Sequence, residues 1–75
     1  MTHLTPHTAQ DVMRKLKKAG FVFDRQAKGS HEIWYNPATK LRTTVPNHPG
    51  KPLPTGTLRA IIKQTGLSTQ KFMNL

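Results

Sequence analysis

The chain has no cysteine, and only three of its 75 residues are acidic: Asp11, Asp24 and Glu32. Without thiols there is neither a disulfide nor a thiolate metal site, so a small core has to hold by packing alone. That fits a reducing compartment. Three acids leave little from which to build a carboxylate pair for acid–base chemistry. No apolar run approaches the roughly 18 residues that span a bilayer. The N-terminus, "MTHLTPHTAQ", lacks a charged segment followed by an apolar one, so it does not read as a secretory signal, and the cytoplasm is the expected location. Length is also short. The chain is expected to form one domain, 1–75, which buries roughly 60% of its unfolded surface and has little room for a pocket enclosing a cofactor. No cofactor is expected.

What is abundant is positive charge. Twelve Lys and Arg against three acids give a formal net charge of +9. Such a surface attracts polyanions at the cost of self-repulsion. Nucleic acid leads the candidate partners, with salt-dependent affinity. An acidic protein is second, and a charge that serves solubility alone is the bland alternative.

The periodicities give the order of elements. Residues 1–7 hold Pro6 and no periodic pattern, and are expected to be a flexible tail. Thr8 to Asp11 is close to a capping box. Ala9, Val12, Met13, Leu16 and Ala19 then form one helical face over about 9–19, with Arg14 and Lys18 opposite, Lys15 and Lys17 on the flanks, and Gly20 as the stop. Phe21 and Phe23 alternate with Val22 as in a short strand. "SHEIWYN" reads as a second strand, and "LRTTVP" as a third with Leu41, Thr43 and Val45 on one face. "NHPGKPLP" is loop. Thr55 or Gly56 is expected to cap a second helix with Leu58, Ile61, Ile62 and Thr65 inward and Gly66 at its end. Leu67, Ser68 and Phe72 have the spacing of a hydrophobic staple opening a short terminal helix. The expected fold is α+β, α-β-β-β-α: a three-stranded antiparallel sheet with two helices on one face and a short C-terminal helix. This is the architecture of double-stranded-RNA-binding domains.

Few residues are left to carry chemistry. "GKPLPTGT" lacks phosphate-loop spacing. His3 and His7 lie a helical turn apart around Pro6, and an incidental tail pair is the better reading, so no metal site is expected. That leaves His31 and His48. RNA cleavage proceeds without a metal if a base takes the 2′-hydroxyl proton and an acid protonates the leaving 5′-oxygen, and histidine suits both roles. In "KGSH", Lys28 could stabilise phosphate charge, Gly29 admits close backbone approach, and Ser30 could orient the imidazole or touch phosphate. An ordinary histidine at a strand start is the simpler alternative for His31. For His48, in "PNHPG", a mere turn residue is the preferred reading. Alternation groups His31 with Ile33 and Tyr35, and Glu32 with Trp34, without saying which set faces the helices. Trp34 reads as core before it reads as a base-stacking platform.

"GF" after the first helix, "KGSHEIW", "TVPNHPGKPLPTGTLRAIIKQTGLS" and the final Phe72 together resemble the HicA family of toxins, over nearly the whole chain and in order. The resemblance implies a ribosome-independent mRNA interferase of the dsRNA-binding-domain-like fold. It implies that the histidine of the GSH motif, here His31, is catalytic, and that a HicB-like antitoxin is the protein partner that masks the active-site face. The second helix has Arg59 and Lys63 but no dense lysine cluster at its start, so single-stranded or locally structured mRNA is the expected substrate. The expected RNA-contacting residues are Lys28, Gly29, Ser30, Lys51, Arg59 and Lys63. A non-catalytic RNA-binding module of the same fold is one rival. A DNA-binding or protein-interaction domain using the basic face of the first helix is another.

Overall fold

The structure, a computed structural model, describes residues 4–75. Its elements are α1 (Ala9–Lys18), β1 (Val22–Gln26), β2 (His31–Asn36), β3 (Leu41–Pro46), α2 (Thr55–Thr65) and α3 (Thr69–Met73). The strands form one antiparallel sheet in the order β1-β2-β3. The α-β-β-β-α reading is the observed architecture. Among the described residues no helix is long and apolar enough to cross a membrane.

α1 starts where the sequence places it. Thr8 accepts from the Asp11 N–H at 3.2 Å, and Asp11 accepts from the Thr8 N–H at 3.0 Å, closing a full capping box. Ala9, Val12 and Leu16 are buried, and Met13 and Ala19 pack at the margin. α2 buries Leu58, Ile61, Ile62 and Thr65 as expected. Its cap differs: Pro54 occupies the N-cap and Thr55 the first helical position, so neither Thr55 nor Gly56 caps it. Leu58 N–H bonds the Pro54 carbonyl at 3.0 Å, and proline's fixed φ suits a helix entry without a side-chain acceptor. Ser68 caps α3 by accepting from the Lys71 N–H, and Phe72 is fully buried.

Two segments depart from expectation. Lys15, placed on a flank of α1, is 7% exposed. Its ammonium donates to the carbonyl oxygens of Met73 at 2.9 Å, Leu75 at 3.1 Å and Phe72 at 3.5 Å. The Phe72 carbonyl also accepts from the Leu75 N–H at 3.2 Å, so the cation gathers the carbonyls at and just beyond the end of α3. Desolvation, followed by the nearby Arg14 and Lys18 charges, holds this ammonium below the usual lysine range. The expected tail is the second. His7 is buried, its carbonyl accepts from the Leu53 N–H at 2.8 Å, Thr8 bridges to Pro52, and Leu4 packs on the core. The chain ahead of α1 is thus pinned by the β3–α2 loop; residues 1–3, and with them His3, lie outside the described residues.

The sheet register decides which face is which. Trp34 pairs with Phe23 and Thr43, and Glu32 with Gln26 and Val45. Trp34, Thr43 and Val45 are buried under the helices. Because neighbours alternate along a strand, His31, Ile33 and Tyr35 project from the opposite, open face. A bulge between Phe23 and Arg25 shifts β1 by one position and sets Arg25 opposite Ile33 on that open face. Trp34 is therefore core, edge-on to the Phe23 ring at 6.0 Å. The β2–β3 turn, without glycine, places Lys40 at φ +63°, its N–H bonded to the Asn36 carbonyl at 2.7 Å.

Candidate nucleic-acid interface

One end of the sheet collects most of the candidate residues, and the backbone explains why. Ala27 N–H bonds the His31 carbonyl at 2.8 Å, so residues 28–30 make a three-residue hairpin loop between β1 and β2. Gly29 supplies the left-handed step, φ +67°, and its carbonyl accepts from the Gln26 side chain at 3.1 Å. The His31 N–H turns back to the Lys28 carbonyl at 3.4 Å. Lys28 and His31 are thus the first and last residues of one tight turn, and both are exposed.

His31 pairs across the sheet with Pro46, the last residue of β3. The ladder continues one step further through the Asn47 N–H and the Ser30 carbonyl, 2.9 Å apart. This locks the β3–α2 loop onto the β1–β2 loop. In consequence the Ser30 Oγ lies 3.3 Å from His48 Nε2. His48 is exposed and lines, with Pro46, Lys51 and Thr57, a cavity of about 360 Å³ between this loop and the start of α2. Lys51 is held beside His48 by a turn in which its N–H bonds the His48 carbonyl at 3.2 Å. The structure therefore brings Lys28, Gly29, Ser30, His31, His48 and Lys51 to one end of the molecule.

It does not bring Arg59 and Lys63 there. Both are exposed on α2, on the side of that helix away from Leu58, Ile61 and Ile62, which pack inward. His31 projects from the other face of the sheet. The two cations belong to a separate basic surface.

Electrostatics favour an anion at the loop end. Each acid is already engaged. Asp11 closes the α1 cap and meets Arg14 at 3.2 Å; Asp24 pairs with Arg25 at 2.9 Å; Glu32 points to the helix side and accepts from the Asn47 side chain at 2.7 Å. The Thr8 backbone and then the Thr8 hydroxyl, bonded to its carboxylate, hold Asp11 below the usual aspartate range. The imidazoles and amines at the loops face no carboxylate partner among these contacts. The open sheet face beyond His31 carries Arg42 stacked on the Tyr35 ring, 4.4 Å from its centroid.

The approach of His48 to Ser30 was not legible in the local sequence, where His48 reads as a turn residue. The signal lies in pairing. Once "SHEIWYN" and "LRTTVP" are set antiparallel with His31 opposite Pro46, the two residues after Pro46 must pass Ser30 and Gly29. Chemically, the group offers two exposed imidazoles, a hydroxyl and two amines, which suits proton transfer around a bound phosphate.

A search among curated proteins finds no match to the chain. The family model described as "HicA toxin of bacterial toxin-antitoxin" matches residues 9–67. That span runs from the first residue of α1 past the end of α2 and takes in the whole sheet, both loops and both histidines. The chain belongs to the HicA toxin family, the toxin side of bacterial toxin–antitoxin systems.

Proposed function

We propose that this protein is a metal-independent endoribonuclease that cleaves single-stranded or locally structured mRNA. The observation that carries the reading is the placement of His31, exposed at the tip of the sheet in a toxin-family fold, in one turn with Lys28. The His31 imidazole takes the proton from the attacking 2′-hydroxyl. Lys28, with Lys51 across the neighbouring loop, offsets the charge that builds on the phosphate. Gly29 keeps the loop free of a side chain where the backbone of the RNA passes, and Ser30 orients the neighbouring ring. Arg59 and Lys63 extend the positive surface and attract the polyanion without touching the reacting group. A HicB-like antitoxin neutralises the toxin by covering the loop end that His31 occupies.

The test is expression in a bacterium beside a defined cleavage assay. Wild type arrests growth and His31→Ala relieves the arrest. Purified wild type cuts RNA in EDTA and leaves a 2′,3′-cyclic phosphate. Equal toxicity of the two proteins, or loss of cleavage on chelation, contradicts the mechanism. A second reading is RNA binding without cleavage, favoured by the Arg42–Tyr35 stack on the open sheet face, since a guanidinium plane is a platform for bases. It predicts binding that is indifferent to His31 and no cut product.

A further inference from the structure

A single imidazole completes only half of the reaction proposed above. When the 2′-oxygen attacks phosphorus, the bond from phosphorus to the 5′-oxygen breaks, and an alkoxide leaves poorly unless it is protonated as it departs. We infer that His48 is the general acid that supplies this proton, an assignment that rests on the endoribonuclease reading of the site.

The candidates narrow by position. Asp11 and Asp24 are engaged away from the loops, and Glu32, though next to His31, points to the helix side and accepts from the Asn47 side chain at 2.7 Å. His7 is buried, with Nδ1 2.8 Å from the Thr5 carbonyl and its ring tilted against Phe72. Tyr35 shares the open face with His31 but stands four residues along β2, about 13 Å away at the rise of a strand. His48 is the second imidazole that the fold brings to the loop of His31, beside the amines of Lys28 and Lys51 that face the phosphate charge. β3 ends at Pro46, the partner of His31, and the Asn47 N–H still bonds the Ser30 carbonyl, so His48 follows two residues beyond that partner with its Nε2 3.3 Å from the Ser30 Oγ. A phosphodiester held between the two imidazoles takes a hydrogen bond of about 2.6–3.2 Å on either side. In the imidazolium both ring nitrogens carry protons. Nε2–H donates to the Ser30 Oγ at 3.3 Å, which fixes the ring, and Nδ1–H remains to donate. Ser30 is thus a positioning residue for His48.

The step balances. His31 accepts the 2′-hydroxyl proton as the bond from the 2′-oxygen to phosphorus forms. The bond from phosphorus to the 5′-oxygen breaks, and His48 gives its proton to that oxygen. The products are a 2′,3′-cyclic phosphate and a free 5′-hydroxyl, with His31 protonated and His48 neutral. Both rings are exposed, so solvent resets them.

The experiment uses the full chain and two substrates: an RNA whose cut linkage has been mapped with wild type, and the same RNA with sulfur replacing the bridging 5′-oxygen at that linkage. A thiolate leaves without protonation. His48→Ala should slow cleavage of the ordinary RNA by about 10²- to 10⁴-fold and cut the sulfur-bridged RNA within a few-fold of wild type. His31→Ala should lose both. The alkaline limb of the pH–rate profile should vanish in His48→Ala while the acidic limb, from the base, stays. His48→Gln, which keeps a donor toward Ser30, serves if the alanine variant unfolds. Full activity of the His48 variants on ordinary RNA, or equal slowing on both substrates, overturns the assignment and leaves the endoribonuclease reading intact. A wild type that cuts neither substrate overturns both.

Discussion

Alanine at Gly66 should destabilise the protein more than alanine at Gly29, and the difference should trace to one side chain. Both glycines hold left-handed backbone, at φ +79° and +67°. An L-residue there costs about 1 kcal/mol or somewhat more. A Cβ at Gly29 would meet nothing within 4 Å, whereas at Gly66 it would stand 2.8 Å from Leu41 Cδ1. Leu41 is 38% exposed, so its methyl can swing aside. Displacing it from its rotamer adds about 0.5–1.5 kcal/mol. The expected costs are about 1 kcal/mol for Gly29→Ala and about 2 kcal/mol for Gly66→Ala. In a domain of this size each kcal/mol moves Tm by about 4–8 °C. The assay is thermal unfolding followed by circular dichroism, on both variants, on Leu41→Ala and on the Gly66→Ala/Leu41→Ala double variant. On the Leu41→Ala background the cost of Gly66→Ala should fall to that of Gly29→Ala. If it is unchanged there, the Leu41 contact is not the cause. If Gly66→Ala is neutral, the left-handed end of α2 does not constrain the chain.

Three further outcomes are expected. Asp11→Asn should cost about 0.3–1 kcal/mol by removing the charge from the reciprocal half of the α1 capping box while Thr8 still caps the helix, and the loss should depend on pH. Asp11's folded-state pKa lies below its ordinary value of 3.8, so its contribution is present above that value and disappears as the pH falls below it; Tm-against-pH curves of wild type and variant should converge at acid pH. Lys15→Ala should destabilise by about 1–3 kcal/mol by taking the ammonium donor from the Met73 and Leu75 carbonyls, while the exposed Lys18→Ala stays within about 0.5 kcal/mol of wild type, as read by denaturant unfolding. RNA binding by His31→Ala, measured by fluorescence anisotropy, should weaken linearly in log salt; indifference to salt would remove the positive surface from the account.

The sequence carried the helices and the sheet because their signals are local. The Thr8–Asp11 box, the 3.6-residue spacing of Leu58, Ile61 and Ile62, and the short connections between strands each act over a few residues. What it did not carry depends on partners far along the chain. Lys15 sits on a flank of its own helix by periodicity, and its ammonium is covered by the end of α3, about sixty residues later. The orientation of β2 follows from its neighbours, since Glu32-Trp34 and His31-Ile33-Tyr35 alternate equally well on either face. The stretch around Pro6 and His7 has no period, yet His7 is tied down by a backbone bond to Leu53. In the site, His31 and its turn were readable from "KGSH", whereas the His48–Ser30 approach required the register of two strands. Arg59 and Lys63 were expected to contact RNA by their charge, and the fold leaves both exposed on α2.

The central claim is that His31 is there to move a proton. The most direct measurement is a gel assay of the purified protein on a defined single-stranded RNA in EDTA, wild type beside His31→Ala, with binding of each followed in parallel. The account predicts that both bind and only the wild type cuts, leaving a 2′,3′-cyclic phosphate. Cleavage by both proteins at equal rate, or binding by both with cleavage by neither, would contradict it.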